Sequence, residues 1–233
     1  MPGRRPREDA GFPDPAHAHP SGLLAIGGDL SPSTLLAAYS MGIFPWYDEG
    51  EPILWWSPDP RFVLDLDRFH PGRSLLKTIR RGAYEVRADA AFPEVIARCA
   101  RKVRRGQDGT WITDEMREAY NDLHRLGFAH SVEAYHEGRL AGGLYGISLG
   151  GYFCGESMFA DRPDASKAAL FHLVRTLEVW KFDFIDCQMR TEHLERLGAR
   201  EIPRGEFLVR LRASLKKPAR RGRWVMESIG RDS

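Results

Sequence analysis

The 233-residue sequence contains no apolar run of about 18 residues, so nothing in it reads as a membrane-spanning helix. The longest candidate, Ala141 to Leu149, is broken by Gly142, Gly143 and Gly146. Cysteine is scarce: Cys99, Cys154 and Cys187 are odd in number and widely spaced. They form neither a disulfide framework nor a C-x-x-C metal half-site, and a reducing cytoplasm is the expected compartment. The opening MPGRRPREDAGFPDP lacks the apolar stretch of a secretory signal, and its acidic residues argue against a transit peptide. Cofactor signatures are missing too. The glycines of Leu23-Leu24-Ala25-Ile26-Gly27-Gly28-Asp29 make neither a G-x-G-x-x-G nor a Walker loop and read as turn residues. His17 and His19 pair in sequence but have no third or fourth ligand nearby, so no metal site is expected.

What is present suits a folded domain. Apolar residues make up 42% of the chain, and six Trp with twelve Phe exclude wholesale disorder. The net charge of +2 hides a strong division. Residues 1–67 carry −6, residues 68–105 carry +8 (11 Lys and Arg against 3 acids), residues 106–200 carry −5, and the remainder +5. Two basic segments in an otherwise acidic chain can form a local patch for a polyanion, or can simply solvate surface helices.

The first 22 residues, rich in Pro, Gly and His, read as an irregular lead-in. Ser31-Pro32 opens a helix, Ser as cap and Pro at the first turn, that stops at Gly42. A dense aromatic stretch follows, and Pro58 and Pro60 suggest a boundary near residue 60. Beyond it the periodicity predicts strand 84–88, helices 92–100 and 114–126, strands 130–136, 140–148 and 152–158, helix 165–180, strand 182–187 and helix 192–197. That order implies an α+β fold, an α/β-type mixed sheet with helices on its faces.

Few residues read as chemical. Gly155-Glu156-Ser157-Met158-Phe159 begins like a nucleophile elbow but ends in Phe and lies in a strand, so Ser157 is a poor nucleophile candidate. Cys154 and Cys187 sit in apolar strands and read as core. Asp186 and Gln188 are two apart on a strand and share a face near its carboxyl end, where a carboxylate and an amide could receive or orient an attacking amine. Asp186 could equally cap the next helix, and Glu156 on a neighbouring strand could be a surface carboxylate. Trp46 and Trp111 fall in loops, where an indole is either core or a platform for an unpaired base.

Several long strings carry a resemblance. GLLAIGGDLSPSTLLAAYSMGIFPWY, ILWWSPDPR, GTWIT, FCGESMF, ASKAAL and IDCQ with the later LGAREIPR resemble the leucyl/phenylalanyl-tRNA–protein transferases, in order, over roughly residues 12 to 215. The resemblance implies a bacterial cytoplasmic enzyme that moves Leu or Phe, and Met less well, from its tRNA to the N-terminal Arg or Lys of a protein. That product is marked for degradation by the N-end rule pathway. It implies a small N-terminal domain (1–60) and a GNAT-like acyl-transfer domain (61–233), working without cofactor or metal. By resemblance, Trp46 and Trp111 flank the terminal adenosine. Leu144, Phe153, Met158, Leu170 and Ile185, with Tyr120 near, form the aminoacyl pocket. Asp186, Gln188 and Glu156 make the catalytic centre, with Asp186, oriented by Gln188, drawing a proton from the attacking ammonium.

The basic segment is the expected tRNA-backbone surface through Arg73, Lys77, Arg80, Arg81, Lys102, Arg104 and Arg105, on charge alone. Three departures stand out. Thr191 occupies a position where the family has an Asn that touches the protein substrate, Leu144 replaces Met, and the loop RKVRRGQDG is long and basic. Two other readings are weaker. An acetyl-CoA enzyme of the GNAT superfamily needs a glycine-bearing pyrophosphate loop, whereas MFADRPDASKAAL has no glycine. A non-catalytic RNA-binding module leaves Asp186 and Gln188 unexplained. The helix faces look fully used by one core, so a monomer is expected.

Overall fold

The computed structural model describes residues 11–101 and 111–226. Lys102, Arg104 and Arg105 lie outside the described residues. The first strand, β1 (Leu23–Ile26), was not anticipated; it follows the lead-in, and Gly27 and Gly28, expected as turn residues, close it with left-handed backbone. Helix α1 (Pro32–Ser40) starts as predicted, with the Ser31 hydroxyl accepting from the Thr34 amide. It ends at Gly42, whose φ of +75° and close neighbours (a Cβ would meet Phe207 at 2.7 Å) leave no room for a side chain. The aromatic stretch then supplies β2 (Phe44–Pro45) and β3 (Leu54–Trp56), which join β1 in a three-stranded antiparallel sheet of order β1-β3-β2.

A seven-stranded mixed sheet forms the body of the protein. Its members are β4 (Arg61–Asp65), β5 (Glu85–Ala88), β6 (Ala129–His136), β7 (Arg139–Leu149), β8 (Tyr152–Ala160), β9 (Phe184–Gln188) and β10 (Arg200–Ile202). The order is β10-β4-β9-β8-β7-β6-β5, antiparallel throughout except for the β8–β9 pair. The predicted strands 84–88, 130–136, 140–148, 152–158 and 182–187 are all present. Strands β4 and β10 were not anticipated. RFVLD is short and almost wholly buried, so it lacks the alternation that betrays a half-exposed strand.

The helices divide between the faces. On one side α5 (Ala165–Val179) and α2 (Arg73–Arg80) cover a core that includes Leu144, Phe153, Leu170 and Ile185. On the other, α1, α3 (Phe92–Ala100), α4 (Asp114–Arg125) and α7 (Arg204–Ser214) share a core with the small sheet, through Leu35, Tyr39, Val95, Met116, Trp55 and Phe207. The short α6 (Glu192–Glu195) follows β9. No helix among the described residues is long and apolar enough to cross a membrane.

Candidate active site

Strands β8 and β9 are matched only over Tyr152–Phe184, Phe153–Ile185 and Cys154–Asp186. Beyond that point β8 runs on to Ala160 without its parallel neighbour, and a cavity of about 720 Å³ opens there. Its apolar wall includes Leu144, Phe153, Met158, Leu170, Leu173 and Ile185, while Trp46, Trp111, Thr191 and His193 stand around it. Glu156 and Gln188 supply the polar end. Every substrate residue expected from sequence therefore lines this cavity except Tyr120, which is fully buried and reaches it through Glu156. Thr191 also caps α6, its hydroxyl accepting from the Leu194 amide at 3.3 Å.

Glu156 is the focus of the polar end. Tyr39 donates its hydroxyl to Oε1 at 2.8 Å, Tyr120 donates to Oε2 at 3.2 Å, and the Gln188 side-chain amide donates to Oε1 at 3.0 Å. The two tyrosine hydroxyls also touch one another. Burial raises the Glu156 carboxyl to about 7, and the tyrosine hydrogen bonds only partly oppose it. The same burial pushes the Tyr39 and Tyr120 phenols well above their ordinary range, so both act as donors. Cys154 and Cys187 are likewise raised by burial and stay protonated, which removes them as nucleophiles.

Asp186 sits differently. It is buried to 1% exposure and its carboxylate is fully engaged. Arg61 donates from Nε to Oδ1 at 2.8 Å and from Nη2 to Oδ2 at 2.6 Å, a bidentate ion pair. The Gln188 backbone N–H takes the second site on Oδ1 at 2.9 Å, and the Cys154 thiol lies 3.4 Å from Oδ2. Gln188 has a left-handed φ of +59°, uncommon outside glycine, and this N–H bond holds the turn that aims its side chain at Glu156. Arg61 is itself fixed by the Gly42 carbonyl at 3.1 Å and by the rings of Phe44 and Phe207, 4.9 and 4.4 Å from its guanidinium. Neither Arg61 nor Tyr39 was expected from sequence. Each belongs to a helix end or strand start whose partner lies far along the chain, and no local pattern marks it.

The basic helix α2 turns Leu75 inward and presents Arg73, Lys77 and Arg80 to solvent, with Arg81 following. None of the four makes an ion pair among the described residues. Thr78 of α2 reaches Asp164 at the start of α5, and Ser166 and Leu170 of α5 line the cavity. The exposed cations are thus one helix away from its mouth. Among the described residues no three His, Cys, Asp or Glu side chains converge as a metal site.

Comparison with known proteins decides the family. The leucyl/phenylalanyl-tRNA protein transferase model matches residues 63–212, and the model of that family's N-terminal domain matches residues 28–59. The chain belongs to the leucyl/phenylalanyl-tRNA–protein transferase family. The transferase of Anaeromyxobacter sp. (strain Fw109-5) is 63% identical over 225 residues, covering 97% of this chain and 95% of that protein. Those of Myxococcus xanthus and Nitratidesulfovibrio vulgaris are 60% and 58% identical, each covering more than nine-tenths of both chains. Among solved structures, the L-PGS of Bacillus licheniformis is similar at 12% identity, with a TM-score of 0.38 over 71% of this chain and 55% of that one.

Proposed function

We propose that this transferase moves Leu or Phe, and Met less readily, from aminoacyl-tRNA to the N-terminal Arg or Lys of acceptor proteins, forming a peptide bond that marks them for N-end rule degradation. The observation that carries the reading is a carboxyl raised to about 7, hydrogen-bonded by Gln188, at the polar end of an apolar cavity flanked by two tryptophans. Trp46 and Trp111 stack the terminal adenosine, and the aminoacyl side chain enters between Leu144, Phe153, Met158, Leu170 and Ile185. A wall of this kind selects by size and apolarity and rejects polar side chains. The sheet is GNAT-like: its single parallel pair parts where the acyl group must sit.

An aminoacyl ester is already activated, so the centre needs only to bring an uncharged amine to the carbonyl and manage one proton. Asp186, Gln188 and Glu156 share this work. The α-ammonium of the acceptor, with an ordinary pKa of about 7.7–8.0, first loses one proton to solvent, leaving an uncharged amine beside ionised Glu156. The amine nitrogen then bonds to the ester carbon and, as it gains positive charge, gives a second proton to Glu156, whose value near 7 suits the exchange. The tetrahedral intermediate collapses with cleavage of the carbon–ribose oxygen bond, and the departing ribose oxygen takes the proton back from Glu156. The Gln188 amide keeps Glu156 in place. Asp186, whose four acceptor positions are filled by Arg61, Gln188 and Cys154, acts by fixing Gln188 rather than by taking the proton. With Asp186 neutralised by Arg61, the net charge that attracts a cationic N-terminus is that of Glu156.

Arg73, Lys77, Arg80 and Arg81 bind the tRNA backbone; Lys102, Arg104 and Arg105, which lie outside the described residues, are assigned the same role on charge alone. Thr191 at the rim meets the acceptor peptide. The enzyme works in the cytoplasm as a monomer. The test is transfer of labelled Phe from Phe-tRNA to a protein beginning with Arg, against one beginning with Ala. Transfer to the first alone supports the reading; tRNA binding without transfer to either would reduce the chain to an RNA-binding protein.

A further inference from the structure

The chain beyond α7, residues 216–226, crosses the end of the large sheet as a strap. Lys217 donates to the Lys181 carbonyl at 2.8 Å and to Asp183 at 2.6 Å. Arg220 lies over the Trp180 ring at 3.9 Å, Arg221 over Phe128 at 4.3 Å, and the Gly222 amide donates to the Gly127 carbonyl. The strap ends in a plug. Trp224 is 2% exposed, its backbone N–H donates to Asp89 Oδ2 at 2.7 Å, and its indole N–H donates to the Arg220 carbonyl. The same Asp89 oxygen receives His130 Nδ1 at 2.8 Å, and the His130 ring stacks on the indole at 3.9 Å and 9°.

Trp224 also touches Phe153, with ring centroids 5.8 Å apart. Phe153 lines the cavity; Trp224 does not. Trp180 and Phe182 also pack edge-on against the indole at 4.9 and 6.2 Å, and with the stacked His130 ring they hold it in a close-packed aromatic cluster. Phe153 is held from a second side by Gly146 of β7, where an added Cβ would sit 2.6 Å from the Phe153 ring. The ring therefore lies close on the β7 backbone at Gly146 and against the indole of Trp224.

We propose that Trp224 is a specificity-positioning residue: by backing Phe153 from the C-terminal strap, it sets the depth of the aminoacyl pocket and so the size of side chain the enzyme transfers. The inference rests on the assignment of this cavity to the aminoacyl group. Removing the indole frees space behind Phe153, which lets the ring move back and admits a larger side chain, while Leu fills the deeper pocket less well.

The experiment compares Trp224→Ala and Trp224→Phe with the wild type, measuring kcat/KM for tRNAs charged with Leu, Phe and Trp. In Trp224→Ala the Trp-to-Leu ratio is expected to rise about tenfold, the scale on which apolar pockets discriminate, and in Trp224→Phe by a smaller factor in the same direction. A purely structural role for the indole would lower all three donors by one factor and leave the ratios unchanged. Unchanged ratios in a folded variant would overturn the proposal. Should the Ala variant not fold, the Phe variant, which keeps an aromatic plug, decides by the same ratio. A wild-type protein that transfers neither Leu nor Phe would refute the functional reading instead, and the two failures are separately visible.

Discussion

Replacing Arg61 by Met tests the centre most severely. Arg61 and Asp186 are each 1% exposed, and the guanidinium supplies two of the four contacts on the carboxylate. Desolvation and attraction nearly cancel in such a pair, so its net worth to stability is small. Removing one partner is another matter. The remaining buried carboxylate keeps its desolvation cost without the attraction, a loss of about 3–5 kcal/mol, against a whole-domain stability of about 5–15 kcal/mol. Met fills the slot between Phe44 and Phe207, so little of the loss comes from a void. A double variant, Arg61→Met with Asp186→Leu, removes both charges and is expected to recover most of that stability. It does not recover transfer, because the acceptor that holds the Gln188 N–H in its left-handed turn is gone. Urea unfolding and kcat/KM on the wild type, both single variants and the double variant separate the two effects. A single Arg61→Met variant within about 1 kcal/mol of wild type would refute the buried-pair argument. A double variant transferring at the wild-type rate would refute the positioning role of Asp186.

Three further outcomes follow from the same geometry. Glu156 must be ionised and the acceptor amine uncharged, so kcat/KM should rise with pH through about 7 and on through about 8 before levelling; Glu156→Gln should lose the inflection near 7 and about 10²–10⁴-fold in rate. A pH profile of the Gln variant that kept the inflection would assign it to another group. Replacing Arg80 and Arg81 together by Ala should weaken tRNA binding and lower the slope of log K against log salt by about 1–2, which a salt titration measures. An unchanged slope would remove α2 from the tRNA surface. Gly42→Ala should destabilise by about 1–3 kcal/mol, since a Cβ would strain the φ of +75° and meet Phe207 at 2.7 Å, and denaturant midpoints report it directly.

Much of the fold was legible because its signals are local. Ser31-Pro32 and Gly42 bracket α1, alternation marks β6 to β8, and helical spacing marks α3, α4 and α5. The elements that escaped lacked such signals. Strand β4 is buried on both faces and follows two prolines, β10 has three residues, and the small sheet is built from strands of two to four. The lining of the cavity was legible from long strings shared with a family. So were Asp186 and Gln188 as a pair on one strand with Glu156 at the same centre, though not the hydrogen bond from Gln188 to Glu156.

What only the tertiary structure decided is what each charge faces. Sequence places Asp186 and Gln188 on one strand, but Arg61, 125 residues away, engages both carboxylate oxygens of Asp186 in a buried ion pair that no local pattern shows. Tyr39 and Tyr120, 81 residues apart, converge on a carboxyl that burial then carries to about 7. Trp224 reaches Asp89 across 135 residues and closes the core behind Phe153. Periodicity and capping act within a few residues, so they can be read along the chain. The protonation and orientation of a buried group depend on neighbours brought in by folding, and no stretch of sequence contains them.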